Sequence, residues 1–504
     1  MFWLATVAVV AGCAVGPDFE TPAAPEVDRY TAQPTPAQTA STPVHGGEAQ
    51  ALVIGEQLPV QWWQLFGSPK LDALVQQAFA NSPTVLSARA TLTQAQEILR
   101  AQHGAQVPTV DAGLGAQRQK TFMNFDEPSV IGPMNLYNAG VDVAYGVDLF
   151  GGLRRMIEAQ GAQVDFQRYE LQAIYLTLAG NVVTAAVQEA SLREQLASTR
   201  SMLESQQERL RLSEKQFELG AIAFADVLSA RSELSTLRAQ LPLLQQELAA
   251  VQTQLAVYLG QLPMQRQTTD FSLDELVLPK NLPLGVPSEL VRRRPDVLAA
   301  EATLHRASAE VGVATADLFP KFTLAASYGG QSDQFSGLFD NPIWSIGANL
   351  TQPLFHGGTL TAQRRAALAA FDAAGHDYRQ AVLNAFKNVA DSMQAVYADA
   401  EALNAQFAAL NASEESLGLT EQQYRLGGVG YFGVLVVQRQ AYQARINYVQ
   451  RLASRYQNTA ALMHALGGGW AADTDLEALS FSQPPAAAEN GTTTAIPATA
   501  NRSN

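Results

Sequence analysis

Six histidines, one cysteine and a scatter of carboxylates are the raw material for catalysis or metal binding here, and their spacing supports neither. His45, His103, His305, His356, His376 and His464 stand singly. None has a partner four residues away that would put two imidazoles on one helix face toward a metal. No nucleophile-elbow pattern occurs, and no phosphate-cradling glycine loop precedes a helix. The single cysteine, Cys13, excludes a disulfide framework or a thiolate metal site within one chain. A formal charge of −14 speaks against nucleic-acid binding, which depends on clustered Lys and Arg neutralising phosphates. An enzyme, a metal site and a cofactor are therefore not expected. What remains is the chemistry of wet and dry surfaces: carboxylates at Asp111, Asp142 and Asp148, and charged and aromatic residues beside two glycine turns.

Cys13 ends the run Val10-Ala11-Gly12-Cys13 after a short apolar segment, Met1 to Val9. The run resembles the lipobox of bacterial lipoproteins. That resemblance implies a signal peptide over 1–12 and a covalent lipid on Cys13, with Ala14 in place of Asp pointing to the outer membrane; an ordinary cysteine in an export signal is the alternative. An acyl chain adds about 0.8 kcal/mol per buried CH₂, so it anchors a chain without making it span. Residues 13–60, rich in Pro, Ala, Thr and Gln, read as an extended, poorly packed leader, with order beginning near Trp62-Trp63 and Leu65-Phe66.

The carboxylates sit on segments of period two. Val110, Ala112, Leu114 and Ala116 alternate with Asp111, Gly113, Gly115 and Gln117; the odd positions from Tyr137 to Leu149 are apolar against Asn138, Gly140, Asp142, Gly146 and Asp148. Strands are expected at about 107–118 and 137–149, the length that crosses a bilayer when tilted. Arg118 to Leu136 reads as an exposed loop, and Asp111, Asp142 and Asp148 as lining water. A second pair follows at about 321–330 and 343–355. No apolar run of 18 or more residues occurs in the middle of the chain, so entry into a membrane would be by strands.

Helices must hold these strands. Thr359 to Tyr424 contains no proline and carries Val382, Val389, Val396, Leu403, Leu410, Leu417 and Tyr424 at every seventh position. At about 1.5 Å per residue this helix is roughly 100 Å long, and its strict repeat turns an apolar seam toward other helices. A matching helix over 153–218 has its seam at Tyr175, Val182, Leu196, Leu203, Leu210 and Phe217, interrupted by Glu189. Return helices are expected at 226–259, with a kink or loosened turn at Pro242, and at 434–466. Pro83-Thr-Val-Leu and Pro295-Asp-Val-Leu open matching segments, and the seams and turns repeat in register. The chain reads as a tandem duplication, repeats 61–280 and 281–470, with a disordered tail at 471–504. Each chain supplies four strands, and a transmembrane barrel needs at least about eight. Three copies would close twelve, continued by a cylinder of long helices.

Cys13-Ala-Val-Gly-Pro17-Asp-Phe, Trp62-Trp63-Gln-Leu65-Phe66, Arg293-Arg294-Pro295-Asp296, the two Leu-Phe-(x)-Gly-Gly turns and Ala465-Leu466-Gly467-Gly468-Gly469-Trp470 together resemble the TolC-like outer-membrane efflux proteins, in the lipoprotein branch called NodT-type. The resemblance covers about 13–470. It implies a mainly α fold with transmembrane β: a homotrimer with a 12-stranded barrel continued by a long periplasmic α-helical barrel. It also implies an exit duct for drugs or toxic small molecules, joined to a periplasmic adaptor and an inner-membrane transporter of the resistance-nodulation-division or a similar type. The turns would be the periplasmic tip, with adaptor contact at Leu219, Gly220, Ala221, Asp226, Val227, Leu228, Leu426, Gly427, Gly428, Val434 and Leu435. Gate candidates are Tyr424, Arg425, Phe432, Val436 and Arg439. Many relatives carry an acidic residue where this chain has Val436, so closure there is expected to be apolar, from Phe432 and Val436. Arg292-Arg293-Arg294 reads as a solvated charge run before a helix. Rival readings are an exit duct for secreted protein and a helical-hairpin adaptor bridging two membranes.

Overall fold

A computed structural model describes residues 14–32, 34, 36–125, 127–265 and 271–470. Cys13, the signal segment expected over 1–12 and the tail expected over 471–504 lie outside the described residues. In chain order the elements are β1 (Ala51–Ile54), α1 (Pro69–Asn81), α2 (Pro83–Gly104), β2 (Thr109–Phe125), β3 (Glu127–Val147), α3 (Gly152–Glu218), α4 (Phe224–Tyr258), β4 (Asn281–Leu284), α5 (Pro287–Leu290), α6 (Pro295–Ala316), β5 (Lys321–Ser332), β6 (Pro342–Thr351), α7 (Thr359–Arg425) and α8 (Tyr431–Ala465). The order helix, strand, strand, long helix, return helix occurs twice. Its helices have the same lengths each time: 22 residues in α2 and α6, 67 in α3 and α7, 35 in α4 and α8.

The seven-residue rows are the buried seams. Val382, Val389, Val396, Leu403 and Leu410 of α7 are buried, as are Tyr175, Val182 and Leu196 of α3. Glu189 is buried in the α3 row too, and its carboxylate takes hydrogen bonds from Arg193 at 2.8 Å and Gln252 at 3.1 Å. The break in the apolar row is thus a satisfied polar contact to α4. Helix α3 packs on α1, α2, α4, α6 and α8, while α7 packs on α6 and α8. Pro242 lies inside α4, which continues helical through it. One 18-residue window of α3 is apolar enough to cross a membrane, contrary to the sequence reading; 56% of it is buried inside the fold, where its apolar side chains serve helix packing.

Strands β2, β3, β5 and β6 form one antiparallel sheet in that order, leaving β2 and β6 as its edges. The expected loop from Arg118 to Leu136 is instead strand: β2 and β3 stay paired from Thr121↔Ile131 to Phe125↔Glu127, past a register shift between Gln119 and Thr121. Backbone pairing depends on main-chain donors and acceptors, so it runs through turn-rich composition that side-chain alternation cannot flag. β6 in turn ends at Thr351, short of the expected 355. Gly151 and Gly358, at φ 78° and 84°, turn the chain from the sheet into α3 and α7; only glycine adopts that backbone without strain.

The leader is extended but not poorly packed. β1 pairs in parallel with β4, from Ala51↔Asn281 to Ile54↔Leu284, so order begins well before Trp62. Gln50 is fully buried and donates to the Pro279 carbonyl at 3.0 Å, and His45 bonds the Leu276 carbonyl at 2.7 Å. Backbone pairing and a few buried polar groups join apolar contacts from Phe19, Tyr30, Val44, Leu52 and Leu58 in holding the leader against the core. Around its end lie Trp62, Trp63, Phe66, Phe79, Tyr175 and Trp470, with Phe79 edge-on to Tyr175 at 4.9 Å and Trp470 stacked on it at 5.9 Å.

One further expectation is corrected. Arg294 is buried, donates to the Ala465 carbonyl at 2.7 Å and grips Asp296 at 2.9 and 2.6 Å. It ties α6 to the end of α8 and is no solvated charge. Ser82 holds the break before α2 in extended backbone, with Pro83 opening the helix, but its hydroxyl makes no cap bond; Ser68 caps α1 through the Leu71 N–H at 3.3 Å.

Candidate functional site

The sheet has two chemically opposite faces, and register fixes which residue belongs to each. Asp111 stands opposite Asp142, Asp142 opposite Ser327, and Ser327 opposite Ser345, so one polar row crosses all four strands. The Ser327 and Ser345 hydroxyls lie 2.7 Å apart. Rows on either side of it add Gly113, Gly140, Gly329 and one exposed apolar residue, Ile343, then Thr109, Ala144, Ala325 and Gly347. The opposite face carries Val110, Leu114, Val141, Leu324, Tyr328, Trp344, Ile346 and Leu350, all exposed. A polar, small-residue face backed by a bare apolar one suits a wall between water and lipid.

Asp148, expected on the wet face, lies beyond the strand. Its carboxylate accepts the backbone N–H of Leu153 at 3.2 Å and of Arg154 at 2.9 Å, capping α3. The chain has turned toward the helix by this point, and the period-two pattern no longer applies.

Beside it the leader is clasped to the helices. Buried Arg155 donates to Asp18 at 2.6 Å, Glu158 at 2.8 Å and the Val15 carbonyl at 3.3 Å. His305 bonds Glu158 at 3.0 Å and stacks on Phe19 with ring centroids 4.3 Å apart. Sequence reasoning missed this cluster, whose members are far apart in the chain and match no local motif.

At the far end, both turns are built alike. The Gly220 N–H reaches the Phe217 carbonyl and the Ala221 N–H that of Gln216; Gly427 and Gly428 do the same to Tyr424 and Gln423. These are Schellman closures, and Gly220 and Gly427 hold the required positive φ at 73° and 76°. α4 and α8 begin at Phe224 and Tyr431, earlier than expected, so Val227, Val434 and Leu435 lie in first helical turns. All three are buried. They shape the tip from inside, and of the three only Leu435 reaches a surface groove. Leu219, Leu228 and Leu426 are exposed, as are Gly220, Ala221, Gly427 and Gly428, with Asp226 half-buried.

The gate candidates fall into two groups. Phe432, Val436 and Arg439 line one groove with Leu228, Ser229, Ser232, Glu233 and the edge of Leu435. Tyr424 is not in it: it packs on Ala230, Tyr431 and Leu435 and donates to Gln216 at 3.2 Å, joining the two helical hairpins. Arg425 is exposed and donates to the Glu421 carbonyl of its own helix, while Glu421 pairs with Arg209 across the hairpins. Burial pushes the Tyr431 hydroxyl above its usual pKa, and Gln206 donates to it.

A family model described as "Outer membrane efflux protein" matches residues 74–261 and 286–468. The chain belongs to the outer membrane efflux protein family. This efflux protein is 33% identical over 447 residues to the pyoverdine export outer membrane protein OpmQ of Pseudomonas putida, covering 88% of this chain and 95% of that one. It is 28% identical over 481 residues to the solvent efflux pump outer membrane protein SrpC of Pseudomonas putida, covering 92% and 96%. Its fold matches the outer-membrane channel OprN with a TM-score of 0.81 at 29% identity, over 91% of this chain and all of that one. The efflux protein is an outer-membrane exit duct of an efflux system, and its family is one of ducts, not enzymes.

Proposed function

We propose that three copies of this efflux protein close a twelve-stranded barrel in the outer membrane, continued by a periplasmic cylinder made of the long helices of two duplicated repeats. The duct passes small toxic molecules outward without consuming energy itself. The observation that carries this reading is the four-stranded sheet: polar on one face, apolar and bare on the other, with unpaired edges at β2 and β6 that lipid does not tolerate. The relatives named for pyoverdine export and for solvent efflux support small cargo.

The tip is the docking and closing end. Exposed Leu219, Leu228 and Leu426 offer apolar contact to a periplasmic adaptor, which links the duct to an inner-membrane transporter in a tripartite pump. Closure is apolar, from Phe432 and Val436, whose shared groove supports the assignment. A lipid on Cys13 adds an anchor; Val15 bonds the Phe150 carbonyl at 3.0 Å, so the described chain after Cys13 starts beside the sheet's exit, where a lipid would meet the membrane.

Deleting the gene and screening a panel of toxic compounds tests the reading. Increased sensitivity to small amphipathic compounds, restored by the intact gene, is expected. Unchanged sensitivity together with loss of a secreted protein would move the duct to protein export.

A further inference from the structure

Helices α3 and α8 meet along two facing rows of amides. Asn181, Gln188 and Gln195 stand seven residues apart in α3, and Gln443, Gln450 and Gln457 do so in α8. The rows join in antiparallel order: Gln457 donates to Gln188 at 3.1 Å, and Gln450 to Gln195 at 3.1 Å. One step further along, the His464 ring lies over Gly180, next to Asn181.

These rows turn away from the leader and the short helices. Tyr175 of α3 touches Phe79 and Trp470. Arg455 and Tyr456 of α8 bond Thr39 and the Leu276 carbonyl, on the same side. The α3 row is about half a turn out of phase with Tyr175, and the α8 row about half a turn out of phase with the Arg455-Tyr456 pair. In a cylinder of these helices that side is the lumen. Asn181, Gln443 and Gln450 are exposed there, Gln188 and Gln457 half-buried and Gln195 buried. Charges flanking the rows are directed elsewhere: Glu189 accepts from Gln252 of α4, and Arg451 shares the row of Asn458, which bonds Asp399 of α7.

We infer that the paired rows form an uncharged hydrogen-bonding rail along the lumen, a weak binding site for cargo rich in amide and hydroxyl groups. This rests on the duct proposed above and adds which cargo chemistry its helical section engages. An amide both donates and accepts, so it matches another amide or a hydroxyl in either sense. Among the described residues, no bond engages the Oε1 atoms of Gln450 and Gln457 or the Nε2 atom of Gln188, which leaves an acceptor or a donor open at each. Steps within a row are about 10 Å apart, a span that a peptide-sized solute bridges. A neutral hydrogen bond exchanged with water gains little, so cargo is held briefly and released, as conduction requires. A charged row would instead retain cargo of opposite sign.

Single-channel recording on the full-length protein tests the rail, with N-acetyl-triglycine amide, an uncharged peptide, as the probe. The probe is expected to interrupt the potassium chloride current of the parent. In Gln188→Leu/Gln450→Leu/Gln457→Leu each interruption should be about tenfold shorter, from the loss of two or three weak hydrogen bonds. Should that variant fail to assemble, Gln443→Leu/Gln450→Leu, at exposed positions, should shorten interruptions about threefold. Gln450→Glu reports the placement: it should raise cation-over-anion permeability about twofold, read from reversal potentials. A parent current that the probe never interrupts, interruptions of equal length in parent and leucine variants, or an unshifted reversal potential in Gln450→Glu overturns the rail and leaves a conducting duct standing. A parent that conducts no ions removes the duct and the rail together.

Discussion

The Asp148 carboxylate holds the Arg154 backbone N–H at 2.9 Å, three residues inside the start of a 67-residue helix. A charge-assisted cap at the positive end of a helix contributes about 1 kcal/mol. Asp148→Ala should therefore lower the thermal stability of the assembled protein by about that amount per chain. Its cation selectivity should stay unchanged. Asp111→Asn with Asp142→Asn should do the reverse, reducing cation preference in planar-bilayer reversal potentials, because those carboxylates share the polar row of the sheet. A selectivity change in the Asp148 variant would return that residue to the water-lined face.

At the tip, Phe432 and Val436 line one groove, and Phe432 is 66% exposed. Replacing both with alanine should raise single-channel conductance with little loss of stability, since neither is part of the buried core. Unchanged conductance would rule out an apolar constriction there. Leu435→Ala offers the contrast: it sits in the small cluster with Ala230 and Tyr431, so truncation should cost about 2 kcal/mol or more through the cavity it leaves.

The leader clasp is asymmetric. The Arg155 side chain is only 5% exposed, whereas that of its partner Asp18 is 92% exposed. Arg155→Ala loses charged hydrogen bonds to the leader and to Glu158, about 2 kcal/mol in all, and should make residues 14–32 sensitive to limited proteolysis. Asp18→Asn should cost less than about 1 kcal/mol, because water screens an exposed partner. Equal protease resistance of the parent and the Arg155 variant would show that the leader is held elsewhere.

Acid should weaken the fold through His464. Burial holds this imidazole below the ordinary histidine range, and the Arg294 guanidinium adds to the shift while Asp296 opposes it. In the unfolded chain the ring titrates near 6.5. Between the depressed folded value and 6.5 the unfolded state binds more protons, so the neutral ring's stabilisation, present above 6.5, is lost as pH falls. Melting temperatures should drop between pH 7 and pH 5, and His464→Asn should drop less. Parallel curves for the two proteins would assign the acid sensitivity to other groups.

Much of this efflux protein was legible in its residues alone. Helix ends fell within three residues of expectation, because heptad rows, proline starts and glycine stops are local signals. The apolar row predicted for α7 is buried from Val382 to Leu410 and that of α3 from Tyr175 to Leu196, whereas Leu203 and Leu210 are half-buried and Phe217 at the tip is exposed. Alternation identified the four strands but misjudged the lengths of β2 and β3, since main-chain pairing continues where side chains stop alternating.

Tertiary structure decided the rest. Asp148, Asp142 and Asp111 look alike in sequence, yet the chain turns between Val147 and Gly152 and makes one of them a helix cap. Val434 and Leu435 read as tip residues until the helix start at Tyr431 turned them inward. Arg155 with Asp18, and Arg294 with Ala465, are contacts between segments more than a hundred residues apart, and no spacing rule encodes them. Periodicity records which face of an element is dry; only packing says what lies against it.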